Sequence, residues 1–223
     1  MAAEKKASPN VESRLRHNIL KMPQEVYQAS GIVINGRRLK SFVFTTDLAI
    51  IRNCDADAVF AVYPFTPQPV IADAIISVAD VPVFVGVGGG VTSGMRSDRL
   101  AIQAEHQGAF GVVLNAPINN MNLLAVAKSV DIPVVITVVD EKTDIGARLE
   151  SGASILNVAA AARTPELVRS IRERFPEVPI IATGGNRPDT ITATIEAGAN
   201  AITYTPPSPQ EMFKTMMAKY REL

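Results

Sequence analysis

Three segments of the chain open with an apolar residue and proline, Val81-Pro82, Ile132-Pro133 and Val178-Pro179, and three others open with Gly108-Ala109, Gly152-Ala153 and Gly198-Ala199. The two openings alternate, giving a two-unit repeat of about 46 residues. Each opening precedes a short β-branched run, and a longer amphipathic stretch leads to the next. Glycine suits the left-handed residue that ends a helix, and proline suits the first position of a strand, where its missing N–H costs least. A chain written this way alternates parallel strands with helical crossovers. Eight strand runs follow, at 42–46, 59–63, 83–87, 111–115, 134–138, 154–158, 180–183 and 201–205, with helical stretches such as 92–107 and 164–175 behind them. Eight equivalent units close a sheet and leave no edge, whereas an open doubly wound sheet needs a reversal of strand order that the repeat does not mark. The expected fold is an α/β (β/α)8 TIM barrel over residues 41–223.

Ahead of the barrel, residues 11–29 read as a helix interrupted near Pro23, and 31–40 as a hairpin turning at Asn35-Gly36. This N-terminal helix and hairpin are expected to plug the bottom of the barrel, with a dimer contact as the alternative. Residues 1–10 are polar and expected to be disordered, so 11–223 form a single domain. Apolar Met212, Phe213, Met216 and Met217 near the end are a second reason to expect a homodimer, unless they form the inner face of the last helix.

Composition narrows the partners. The 22 Lys+Arg balance 22 Asp+Glu, which leaves no basic surplus for nucleic acid and points to a small molecule. The single cysteine, Cys54, sits in a helical pattern without a mate, as expected of a cytoplasmic protein. No apolar run approaches the roughly 18 residues of a membrane span, and the start lacks a signal peptide's apolar core. Neither His17 nor His106 has a carboxylate at ligand spacing, so no metal is expected. No lysine lies inside a strand run, which disfavours a Schiff-base aldolase.

In such barrels the chemistry sits where the strands end at their carboxyl side. The seventh run ends Thr183-Gly184-Gly185-Asn186 before a helix, and glycines let backbone N–H groups approach an anion at a helix start. A plain tight turn is the other reading. The loop after the third run carries Gly88, Gly89 and Gly90, a second anion cradle, a mobile lid or a bare connection. Polar residues end the other runs: Thr45, Thr46 and Asp47, Tyr63 and Thr66, Asn115, Thr137 with Asp140, Glu141 and Lys142, and Asn157. Asn115 and Asn157 are unusual in apolar parallel strands and are expected to bond substrate, or else loop backbone. Asp47 is the candidate general base, with an N-cap as its alternative role. Lys142 is the candidate electrostatic stabiliser, oriented by Asp140, unless both are solvated loop charges.

The segment "VPIIATGGNRPDTITATIEAGANAITYT", 178–205, resembles the last quarter of the ribulose-phosphate-binding barrel superfamily, and the likeness extends more loosely over 41–220 through "VPVFVGVGGG" and "GAFGVVLNAP". It implies a shared fold and a phosphate site at Gly184, Gly185 and the end of the eighth strand. There the chain departs from the family's glycine and reads Thr203-Tyr204-Thr205-Pro206-Pro207-Ser208, so Thr205 and Ser208 hydroxyls would replace lost N–H donors. The superfamily spans many reactions and specifies none.

The expectation is therefore an enzyme of isomerase, epimerase or lyase type on a small phosphorylated metabolite. Asp47, Lys142 and Asp140 would do the chemistry. Thr45, Asn115, Thr137, Asn157 and Tyr204 would hold the substrate, and Thr183, Gly184, Gly185, Asn186, Thr205, Ser208 and the 88–90 glycines its phosphate. No cofactor is expected. A non-catalytic sensor and an FMN-binding oxidoreductase are the alternatives.

Overall fold

The computed structural model describes residues 19–221 together with Pro9 and Val11. The expectations for residues 1–8 and for the helix over 12–18 fall outside the described residues.

Eight parallel strands close into a barrel: β3 (Ser41–Phe44), β4 (Ala58–Ala61), β5 (Val83–Gly88), β6 (Gly111–Leu114), β7 (Val134–Val138), β8 (Ile155–Val158), β9 (Ile180–Thr183) and β10 (Ala201–Tyr204). Strand β10 pairs with β3 to shut the ring. Helices α1 (Leu48–Arg52), α2 (Pro69–Val78), α3 (Met95–His106), α4 (Asn120–Ser129), α5 (Ile145–Glu150), α6 (Thr164–Arg174), α7 (Pro188–Glu196) and α8 (Pro209–Arg221) follow the strands in turn. The (β/α)8 expectation holds, and the strand runs lie within two residues of their expected places.

The repeat that announced the fold has a structural cause at both openings. Pro82, Pro133 and Pro179 each use their carbonyl to accept a hydrogen bond from the neighbouring strand (Val59, Val112 and Leu156). Lacking an N–H, each leaves no unpaired donor there. Gly108, Gly152 and Gly198 take φ values of +93°, +92° and +110° just past α3, α5 and α7, where a side chain would be strained.

Alternation along each strand sorts the core into two layers. Phe42, Phe60, Phe84, Val113, Val135, Ile155, Ile181 and Ala201 point inward and fill the barrel, while their neighbours pack under the helices. Phe42 meets Phe60 and Phe84 edge-on, at ring-centroid distances of 6.0 and 5.2 Å. This aromatic plug is the floor beneath the mouth.

Strands β1 (Ile32–Ile34) and β2 (Arg37–Leu39) form the expected antiparallel hairpin, with Asn35 and Gly36 at φ 48° and 79° in its turn. Ile32, Ile34 and Leu39 join the inward-facing cluster at the end where β3 begins, and Gly31 N donates to Asn200 O. Beyond Pro23 the expected helix is only a 3-10 turn, Gln24–Gln28. The chain before it runs as an extended segment in which Leu20 bridges Cys54, and Asp55 accepts from Met22 N at 2.6 Å. Cys54 therefore lies past the end of α1, where burial raises the pKa of its thiol.

Candidate functional site

A cavity of about 680 Å3 opens at the carboxyl ends of the strands, within the size range of small-molecule sites. The barrel order places its two sides opposite one another. Phe44 on β3 and Phe60, Val62 and Tyr63 on or after β4 form an apolar arc, extended outward by Phe65. Thr137, Asn157, Thr183, Thr203 and Thr205, on β7 to β10, form a polar arc. Between the arcs, β5 contributes Gly86 and Gly88 and β6 contributes Val113 and Asn115.

Strand parity explains which residues reach this space. Ala201 faces inward, so Thr203 and Thr205 do as well, while Tyr204 turns outward and packs against the helix-side cluster. Tyr204, expected to touch substrate, is thus on the other face of its strand, and Thr203 was overlooked. Counting by twos from a buried strand residue would have found it.

Two buried polar atoms here have no hydrogen-bond partner among the described residues: Asn157 Oδ1 and Thr203 Oγ1, on residues only 7% and 3% exposed. Asn157 Nδ2 donates to Thr137 Oγ1 at 3.3 Å, which holds the amide over the floor. Buried polar groups are normally paired, and these two atoms at the base of one cavity find no partner among the described protein groups. Asn115 behaves differently: its Oδ1 accepts from Ala116 N at 2.9 Å and so serves its own loop, although the residue also borders the cavity.

The glycine loop after β5 forms a wall of the cavity through Gly88, Gly90, Val91 and the buried Thr92. Gly89 N donates to Thr92 O at 2.8 Å, and Ser97 Oγ donates to the same carbonyl at 3.1 Å. Pairing between β5 and β6 slips by one residue at Gly86–Gly88, letting the loop step outward.

None of the charged candidates borders the cavity. Asp47 is the N-cap of α1, accepting from Ile50 N at 2.9 Å, while Thr45 Oγ1 accepts from Asp47 N. Asp140 accepts from Lys142 N at 3.0 Å and Thr143 Oγ1 at 3.3 Å. Asp140 and Lys142 line a separate cleft with Asp144 and Arg148, beside the β6–α4 connection. The structure does not bring this expected trio together with Asn157 and Thr137.

At the expected phosphate turns after β9 and β10 only Thr183 and Thr205 border the cavity. Gly184 is buried, and a Cβ there would crowd Ile202 and the backbone of Ile191 at 3.2 and 3.3 Å; its glycine lets α7 lie close to the sheet. Gly185 and Asn186 are exposed at the turn. Each adjoining helix start already carries a carboxylate. Asp189, in the first turn of α7, pairs with Arg187, whose hydrogen bond pulls the carboxyl below its usual pKa. At α8, Ser208 N and Oγ donate to Glu211 Oε2 at 2.8 and 2.7 Å, and Glu211 N donates back to Ser208 Oγ at 3.3 Å, a capping box. A phosphate, free or belonging to FMN, would stand beside these carboxylates.

Two expected outcomes follow. Gly185 sits at φ +76°, and a Cβ would meet Thr190 Oγ1 at 2.9 Å. Gly185→Ala should therefore cost about 1–2 kcal/mol by thermal denaturation even without ligand. The bond from Ser208 holds the Glu211 pKa below the ordinary carboxylate value. The cap is then intact above the unfolded-state pKa and lost as pH falls through the folded one. Hydrogen exchange should show the first turn of α8 loosening in acid while the barrel strands stay protected.

No protein-family model and no curated protein matches the chain in sequence. Solved structures do match in fold. A protein described as a phosphonomutase from Burkholderia cenocepacia J2315 superposes with a TM-score of 0.63 at 18% identity, over 82% of this chain and 93% of its own. Phosphoenolpyruvate phosphomutase from Streptomyces platensis subsp. rosaceus gives 0.62 at 15%, over 88% and 83%. A 2,3-dimethylmalate lyase, a member of the PEP mutase/isocitrate lyase superfamily, gives 0.63 at 13%, over 89% and 84%. These likenesses establish the barrel. They lie outside the ribulose-phosphate-binding group that the β9–α7 segment resembles, so the shared ground is the (β/α)8 fold. Among the described residues no three His, Cys, Asp or Glu side chains cluster to hold a metal, and no helix is long and apolar enough to cross a membrane.

Proposed function

We propose that the mouth cavity is the active site of an enzyme of lyase or mutase type acting on a small metabolite. The orphaned Asn157 Oδ1 and Thr203 Oγ1 at its base carry this reading: they give the cavity two hydrogen-bonding positions that only an occupant completes. The place suits it, because barrel enzymes work at this face. The similar barrels are phosphonomutase and lyase enzymes, which fits the reaction class. On this reading Thr137 and Asn157 orient the substrate over Phe44 and Phe60, and the glycine loop of Gly88 and Gly90 shields one side.

A second reading, binding without turnover, is favoured by one observation: among the described residues Tyr63 is the only ionisable side chain bordering the cavity, and its hydroxyl already accepts from Gln68 N at 2.8 Å. A thermal-shift screen of small 2-oxo acids, phosphonates, sugar phosphates and uncharged counterparts, followed by NMR turnover assays, separates the readings. A ligand whose stabilisation is lost in Asn157→Leu and which is converted supports the enzyme; one bound but unchanged supports the binder. If no stabilisation depends on Asn157, both readings fall.

Thr203→Val provides a sharper stability signature. Removing an unpaired buried hydroxyl while keeping its shape should stabilise the free protein by about 1 kcal/mol, raising Tm by about 2–4 °C. A fall in Tm would mean that the hydroxyl is paired and the site reading is wrong. The homodimer is likewise a proposal, supported by Phe213 and Met216, which α8 leaves exposed, while Met212 packs inward. A monomer mass in light scattering would remove it.

A further inference from the structure

The cavity's lining is uncharged. Among the described residues no Asp, Glu, Lys, Arg or His borders it, although polar side chains occupy four consecutive strands. An anion buried here would give up hydration without meeting a counter-charge, a loss that proteins ordinarily avoid by pairing. The turns flanking the polar arc deepen the mismatch, because Asp189 and Glu211 already hold the positive ends of α7 and α8. Nδ2 of Asn157 gives one of its two N–H groups to Thr137, and the buried atom left without a partner is an acceptor, Oδ1. A carboxylate or phosphate offers only further acceptors to that atom. A neutral N–H or O–H satisfies it, and Thr203 Oγ1 nearby on the same arc can donate in return.

Opposite Asn157 on β8 stands β4 with the flat ring of Phe60 and, just past the strand, the apolar Val62, and opposite Thr137 on β7 stands β3 with the ring of Phe44. An occupant spanning the space must therefore be polar along one edge and apolar across its body. We infer that the mouth takes an uncharged small molecule with a flat apolar body and a donor-bearing edge of the carboxamide or lactam kind, read by Asn157 and Thr203. This inference rests on the mouth being the ligand site and specifies the class of its substrate.

Benzamide, benzoate and benzamidine have the same size and shape and differ in charge and donors at one edge, so they test the class directly. Binding to the full chain is followed by NMR titration, watching the Asn157 side-chain amide and the Thr203 backbone. Wild type should bind benzamide at least about tenfold more tightly than benzoate. Asn157→Asp keeps the acceptor and adds a charge, so it should shift preference toward benzamidine by about tenfold. Thr203→Val, which preserves shape, should weaken benzamide and leave benzoate unchanged; it serves alone if the Asp variant does not fold. Benzoate binding at the mouth as tightly as benzamide would overturn the neutral class and leave the site standing. It would also mean that the amide of Asn157 presents its donor end instead. If none of the three probes perturbs Asn157 or Thr203, the site itself is refuted, and the proposed function with it.

Discussion

Gly89→Ala should be a severely damaging single-methyl addition in the loop beside the mouth, lowering stability by about 4 kcal/mol and Tm by about 10 °C. The residue sits at φ +105°, where any side chain is strained. Its added Cβ would also press on the backbone of Asn115, against the amide nitrogen and at 2.6 Å from the carbonyl oxygen and 2.9 Å from Cα. Backbone cannot rotate away as a side chain can, so either the loop or the end of β6 must move. The neighbour Gly90 is the control, with open space around its would-be Cβ and no positive φ. Gly90→Ala should therefore leave Tm within about 1 °C of wild type. Equal melting temperatures for the two variants would mean that the loop is not seated on Asn115.

Arg172→Met should cost about 3 kcal/mol, a fall in Tm of about 6–12 °C. The guanidinium of this α6 residue donates to the carbonyls of Gly198 at 2.8 Å, Pro176 at 2.6 Å and Val178 at 2.9 Å, and to Asn200 Oδ1 at 2.8 Å. Asn200 in turn accepts from Ile180 N and donates to Ser30. One half-buried cation therefore ties the end of α6, the start of β9, the turn before β10 and the N-terminal extension. Burial lowers its pKa from the usual arginine value. Methionine keeps much of the apolar stem and removes every donor. Arg172→Lys should recover only part of the loss, because a single ammonium cannot span acceptors spread around a planar fork. Chemical denaturation of the three proteins checks this, and a methionine variant as stable as wild type would show that the fork contributes nothing.

The barrel was legible because its punctuation is local. A proline that must not waste a donor and a glycine that must turn left-handed are demands of single residues, repeated at fixed intervals, and they survive without knowledge of the packing. The site was legible in part. Thr137, Thr183, Asn157 and Thr205 stand at the mouth because strand ends are countable. Tyr204 was included and Thr203 missed because "after the strand" is a weaker rule than parity along it.

Asp47 and Asp140 illustrate a different limit. A short carboxylate always has its own neighbours' N–H groups within reach, and here both turn to them. Sequence shows that such a residue can bond locally or face the ligand, but which it does depends on the direction of a loop. The helix read over 11–29 failed after Pro23 for a related reason: the stretch 20–28 lies against the barrel's lower rim, and the bridge to Cys54 competes with helical pairing.

The hairpin at the base has a consequence for exchange at the other end. With Ile32, Ile34 and Leu39 set under the aromatic plug, the base of the barrel is closed among the described residues and the mouth is its open end. Whatever enters the mouth must depart by the same opening, so a second molecule waits until the first has gone. On the proposed function, a departing compound would compete directly with the arriving one at that opening.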